Sequence, residues 1–419
     1  MKYAQIGDNW QSDFENAGKF GFRAVHYINV NHTGNYYRTY NISAIVGAAW
    51  RGLVNARLHA GLAKYSKWYE YGFTCGGLFV LGYCNFIRNF VCENNIDKVL
   101  FLARDGEILM RVYEKYFGGN TSFEYAYWSR NAALKSGSDR YRRDFFRRYV
   151  YHKVNSETSL AKIFSAMELE DLSHGFYKSC KLTENAVLTA ETGDKLVKYL
   201  VTNWVKVQKI YAPEREYAGK YYANLVRNCK RVCTVDVGWA GSGGAILDYL
   251  AREVWRFDCE FYTLVAGTNT GNNYEPDMSE SLLQSGRMNA YLYSQRHNRD
   301  LYYAHNPGLR HNIYFEMLLS SKSASLRGFK SDSLVFAKDT EDSNDILIDE
   351  IQRGILDFCG DYCGKFSKYK YMREISGADA YAPFRHLTGF RDEYFRKLFA
   401  GLRFDIGVGE ERKLIFGGD

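Results

Sequence analysis

One stretch limits what this chain can fold into more than any other: residues 231–250, RVCTVDVGWAGSGGAILDYL. Val232 to Val235 predict a short buried strand, with Asp236 at its end. Gly238, Gly241, Gly243 and Gly244 follow, with Ser242 among them, and an apolar helix is expected to open at Ala245. Glycines let backbone N–H groups turn toward an anion, and a helix N-terminus adds positive potential, so the pattern suits a phosphate cradle. It equally suits a plain tight turn between a strand and a helix. No lysine follows the glycines and the GxGxxG spacing is absent, so neither standard nucleotide fingerprint applies.

A second unit lies upstream. Residues 98–103, KVLFLA, form a continuous apolar run, as in a parallel strand covered on both faces. The run ends in Arg104, Asp105, Gly106 and Glu107, and an amphipathic helix is predicted from Ile108 to about Tyr116. A further strand, 123–128, ends in Ser129 and Arg130. In open parallel sheets ligands bind beyond the carboxyl ends of the strands, which would gather Arg104, Asp105, Ser129, Arg130 and Asp236. A later strand is expected over 258–266, then an irregular aromatic and polar region to about Asn306.

The expected fold class is therefore α/β: a Rossmann-like parallel sheet with a helical insertion over about 136–228 and a helical C-terminal region. The expected divisions are 1–40 with its linker, 41–330, and 331–419. A helix over 77–92 is apolar on most sides and so buried, and the run 72–87 is too short to cross a bilayer. The basic run 135–148, KSGSDRYRRDFFRR, reads as a solvated helix face with Phe145, Phe146 and Tyr149 inward, or as a patch for phosphate or anionic lipid. His311 and Glu316 are candidates for acceptor binding or a general base, and also read as capping or core polar groups. Residues 339–344 read as an acidic loop, and 346–362 and 391–402 as amphipathic helices. Residues 407–419 read as a loose tail.

Composition narrows the partners. The net charge of +7 suits a phosphate-bearing substrate or an anionic surface and does not call for nucleic acid. Thirty-five tyrosines supply flat amphipathic surface suited to sugars, though most such side chains fill cores. The nine cysteines are scattered, with no CxxC pair, so reduced thiols in the cytoplasm are expected, with neither disulfides nor zinc. No signal peptide is evident.

Two family resemblances follow from these residues. Gly7-Asp8-Asn9, with Ser12 and Asp13, resembles the last motif of haloacid-dehalogenase-type phosphatases, where such acids help hold Mg²⁺. The other motifs of that family are missing, so the segment reads as a remnant or the tail of a truncated domain, or as an ordinary Asp-rich turn. Asp8 and Asp13 are then a vestigial Mg²⁺ motif, and phosphatase activity is not expected. Ala103-Arg104-Asp105-Gly106 resembles the diphosphate-binding loop of type I phosphoribosyltransferases. Residues 235–243, VDVGWAGSG, resemble a degenerate form of the loop that cradles the donor's 5-phosphate. One acid stands where the family has two, and Ala240 and Gly243 replace threonines.

The whole arrangement is similar to bacterial surface-polysaccharide proteins that pair such a domain with a phosphatase. The resemblance implies transfer of 5-phosphoribose from phosphoribosyl pyrophosphate, with Mg²⁺, to a glycan or lipid-linked glycan. The setting would be the cytoplasm or the inner face of the membrane, with a separate phosphatase chain as a candidate partner. Asp236 would offset charge at the ribosyl carbon and hold Mg²⁺ with the donor diphosphate. Arg104, Asp105, Gly106, Ser129, Arg130, Gly238, Gly241, Ser242 and Gly243 would bind the donor. Glu316, His311 or diphosphate itself would take the acceptor's proton. A non-catalytic scaffold for a separate phosphatase and a nucleotide-sugar-dependent transferase stand as alternatives.

Overall fold

The computed structural model describes residues 3–32, 35–154, 156–269, 278–331, 333–337, 344–390, 392–405 and 413–415. The acidic loop 339–344 and the tail 407–419 lie mostly outside these residues. Two short parallel strands, β1 (Ala4–Gly7) and β2 (Arg23–His26), pair with each other near the N-terminus, joined by helical turns over Trp10–Asn16 and Ala17–Lys19. The main sheet has five parallel strands: β3 (Lys98–Leu102), β4 (Ser122–Ala126), β5 (Arg231–Trp239), β6 (Glu260–Thr268) and β7 (Met288–Tyr293). Their spatial order is β4-β3-β5-β6-β7. The fold is thus α/β and Rossmann-like. The order reverses between β3 and β5, which makes the space beyond their carboxyl ends the topological switch point.

Side chains alternate across the sheet and divide the core in two. Val99, Phe101, Cys233, Val235 and Leu264 face one layer, which contains helices Ala44–Val54, Gly77–Glu93, Gly106–Tyr116, Asp345–Phe366 and Gly377–Phe390. Leu100, Leu102, Ala126, Val232 and Phe261 face the other. That second layer is built largely from the insertion: Arg142–Tyr149, Leu160–Met167, Glu170–Cys180, Ala190–Thr202 and Trp204–Leu225. A parallel neighbour needs a crossover, and the connection from β4 to β5 uses its length to cover a sheet face. Phe145, Phe146 and Tyr149 of the basic run do point into this layer.

Several boundaries differ from the sequence reading. The glycine-rich helix starts at Ser242 rather than Ala245 and runs to Tyr249. Its tight seat on the sheet outweighs poor helix propensity: a Cβ on Gly244 would lie 2.5 Å from Thr263 Cγ2. Strand β5 continues past Asp236 through Gly238 to Trp239. The region expected to be irregular up to Asn306 contains helix Met278–Gln284, the edge strand β7 and helix Arg299–Ala304. An antiparallel hairpin, β8 (Leu326–Lys330) and β9 (Ser333–Phe336), precedes the C-terminal helices.

The apolar segment expected over 77–92 belongs to a helical stretch of 27 residues, Lys67–Glu93, with a wider turn at Gly72–Gly76. By length and composition it could cross a membrane, but 67% of its most apolar window is buried inside the fold. Helix Asp345–Phe366 lies against it at backbone distance. A Cβ on Gly72 would sit 2.1 Å from Ile351 O, and one on Gly354 would sit 2.3 Å from Tyr69 O. Gly72→Ala and Gly354→Ala are each expected to cost about 1–3 kcal/mol through overpacking, read as a lowered midpoint in urea unfolding.

Candidate functional site

The carboxyl ends of β3, β4 and β5 open onto one cavity of about 250 Å³. Its lining includes Arg104, Asp105, Ser129, Arg130, Asp236, Gly238, Ser242, Gly243 and Glu316. Nine of the residues singled out in the sequence thus meet in one place. Each arrives by a local rule. Asp105 begins the helix Gly106–Tyr116, and Ser129 caps Arg130–Ser136 by accepting from Ala132 N at 3.1 Å. Asp236 sits near the end of β5, where its Oδ1 accepts from Val237 N at 2.8 Å.

The turn after Asp236 demands unusual backbone. Gly238 has φ +103°, Trp239 +62° and Gly241 +62°. A Cβ on Gly238 would press to 2.5 Å from Gly267 O, so glycine is required there twice over. Gly241 starts the helix Ser242–Tyr249 and supplies no side-chain cap. Ser242 and Gly243, in its first turn, line the cavity, and Arg148 Nη2 lies 3.5 Å from Ser242 Oγ. A helix start without a side-chain cap has N–H groups left to satisfy. Space remains at Gly243, where a side chain would begin 3.8 Å from Asp236 Oδ2 and from the Trp128 ring.

Charge is the cavity's dominant feature. Burial raises the Asp105 carboxyl well above the usual range, and the charges of Glu316 and Asp236 raise it further, while Arg104 and Arg130 pull it down. Burial pushes Asp236 up to about 6, against the opposing pull of the Val237 N–H and Arg130. Glu316 is also raised by burial, with Arg130, its bond from Trp239 and Arg104 acting the other way. Each of the three keeps a half-buried edge on the cavity. Among the described residues, the side chain of neither Arg104 nor Arg130 has a protein hydrogen bond or an ion pair within 4 Å. Two exposed guanidinium groups so placed are ready for an anion from solution.

Some expected residues fall elsewhere. Gly106 is buried against β3, where a Cβ would meet Phe101 C at 2.7 Å, so its role is packing. A Cβ on Gly241 would meet Ser279 and Met288; it shapes the turn without lining the cavity. His311 stands five residues before Glu316 on one short helix, about 140° around it, and is not among the residues that line the cavity. It is buried, and its Nδ1 accepts from Asn306 N at 3.0 Å, a bond that holds the ring in place. Asp8 and Asp13 stay in the N-terminal unit, where Asp13 closes a turn by accepting from Asn9 N at 3.1 Å.

The sequence reading missed other members. Arg327 and Ser325, at the start of the hairpin, complete the cavity wall. The Arg327 carbonyl accepts from Asn131 Nδ2 at 3.1 Å and from buried Lys135 at 3.3 Å, and Lys135 is held by Glu168 and Glu214. Trp239 Nε1 donates to Glu316 Oε1 at 2.5 Å, and its ring stacks on His305 at 4.8 Å. Burial pushes His305 down to about 3, so it stays neutral, bridging Tyr381 at 2.6 Å and Asn312 at 2.8 Å. Arg148 lay within the basic run, while nothing local marks Arg327.

Among the described residues no group of three or more His, Cys, Asp or Glu is arranged to hold a metal ion. A magnesium ion commonly takes one or two carboxylates and completes its shell with substrate phosphates and water. Asp236, with Oδ2 on the Gly243 side of the cavity, fits that more modest demand.

A raised carboxyl favours the fold in its protonated form. The stability it contributes is complete below about pH 4 and is lost as pH rises through about 6 for Asp236. Asp236→Asn is therefore expected to flatten the decline in stability between these values and to raise the urea midpoint at pH 7. No family model matches this chain, and no curated protein matches it.

Proposed function

We propose that this cavity binds phosphoribosyl pyrophosphate and transfers its 5-phosphoribosyl group to a sugar hydroxyl of a surface-polysaccharide precursor. The observation carrying this reading is the placement of Arg104 and Arg130, free of close protein partners, opposite Asp105, Asp236 and Glu316 beside an uncapped helix start. Cationic groups suit both ends of a donor with a phosphate and a diphosphate, and carboxylates suit the carbon between them.

In this reading Arg104 and Arg130 take the diphosphate, and the first turn at Ser242 and Gly243 takes the 5-phosphate. The bond from C1 to the diphosphate oxygen breaks, and its electron pair leaves with the diphosphate. The guanidinium groups stabilise that departing charge. The carboxylate of Asp236 offsets the positive charge on the ribosyl carbon. The acceptor oxygen then bonds to C1, and Glu316 takes its proton. Mg²⁺, held by Asp236 together with the donor, would neutralise diphosphate charge. The Trp239 bond keeps Glu316 oriented.

Calorimetric titration of phosphoribosyl pyrophosphate with Mg²⁺ tests the reading. Saturable binding is expected, weakened about tenfold to a hundredfold in Arg104→Ala and in Asp236→Asn. Folded protein that gives no heat at millimolar donor would overturn it in favour of a non-catalytic scaffold. Tighter binding of a nucleotide sugar would overturn it in favour of that donor class. Glu316→Gln is expected to leave donor affinity nearly unchanged and to slow transfer by about 10²–10⁴-fold, measured as diphosphate release in the presence of acceptor.

A further inference from the structure

The helix Arg142–Tyr149 has two different faces. Arg148 points to the cavity, beside Ser242, and is held by Asp144 at 2.9 Å. Arg142, Arg143 and Arg147 line a separate depression of about 490 Å³, together with Phe146, Tyr151, Val197 and Val201. This second surface joins charge to bare hydrocarbon. Val201 is 43% exposed, and Val205, four residues on, is 71% exposed. Tyr151 is 46% exposed. Arg142 lies over the Trp204 ring at 5.5 Å. Lys198 and Lys206 are exposed on the helices that carry the valines. Among the described residues, Asp144 pairs with Arg147 and Arg148, Asp194 accepts from the Tyr151 hydroxyl, and Glu191 pairs with Lys195.

Exposed valines alternating with arginines and lysines have the composition of a headgroup-level surface: cations for lipid phosphates, and apolar side chains for the acyl boundary just beneath. We propose that the face formed by Arg142, Arg143, Arg147, Tyr151, Val197 and Val201 docks on an anionic phospholipid bilayer, with lipid phosphate entering the arginine-lined depression. Arg142 and Arg148 are six residues apart on one helix, about 9 Å along its axis, so one helix carries both the docking face and the residue beside Ser242. That docking presents a lipid-carried acceptor to the cavity rests on the transferase reading, whereas docking itself does not.

The test is flotation of the full chain with vesicles of phosphatidylglycerol and phosphatidylcholine in equal parts, against vesicles of phosphatidylcholine alone. Binding is expected only to the anionic vesicles and is expected to fall as salt rises. The double variant Arg142→Glu/Arg143→Glu is expected to abolish it, and Val201→Asp/Val205→Asp to weaken it about tenfold or more. All four positions are exposed, and a circular dichroism melt confirms that each variant folds. Absence of flotation with anionic vesicles at low salt would overturn the proposal, as would flotation unchanged in both variants. Release by millimolar inorganic phosphate at constant ionic strength would reassign the depression to free phosphate. Equal competition by a single-stranded oligonucleotide would reassign it to nucleic acid. Donor titration of the same variants is expected to match the wild type, so failure of docking and failure of the donor site are read separately.

Discussion

The crowding of three carboxyl groups onto one cavity, answered by guanidinium groups rather than by a solvated surface, is the constraint around which this structure is arranged. Like charges gathered in a half-buried space oppose each other, and burial opposes their ionisation. The fold tolerates this because each carboxyl is fixed by an element with a large core behind it. Asp105 stands at the end of an apolar strand, Asp236 in the central strand of the sheet, and Glu316 on a helix whose Phe315 packs against Phe384. The reversal of strand order between β3 and β5 brings the first two side by side, and the return of the chain over the sheet brings the third.

Much of this was legible in the sequence because strand ends announce themselves. An apolar run that stops abruptly in Arg104-Asp105, in Ser129-Arg130, or in Asp236 and glycines marks both the strand and the direction of its exit. Parallel strands place their exits on one edge, so five residues separated by more than 130 positions could be assigned to one site. The insertion was legible as helical, although its role as the cover of one sheet face was not. That role depends on which side of each strand is apolar, and both sides are.

The rest was hidden for reasons that differ by residue. Arg327 occupies a short hairpin whose position is set by Asn131 and Lys135, nearly 200 residues earlier, so no local pattern marks it. The strand Met288–Tyr293 lies within a region rich in polar and aromatic residues, and its pairing with β6 carries the signal that its sequence lacks. His311 and Glu316 looked equivalent as candidates, yet their five-residue spacing on one helix separates them. The early start of the helix at Ser242 follows from contacts with Thr263, which outweigh the poor intrinsic propensity of two adjacent glycines.

Trp239 carries a consequence of its own. Its backbone sits in the left-handed region, its indole N–H is committed to Glu316, and its ring is stacked on a histidine that remains neutral. The carboxylate facing the cavity and the aromatic layer behind it are therefore one mechanical unit. Glu316 cannot swing toward a ligand without either drawing the indole along or abandoning its hydrogen bond. Either motion alters the polarity around a buried tryptophan, so the chain carries within its own side chains an optical reporter of what occupies the cavity.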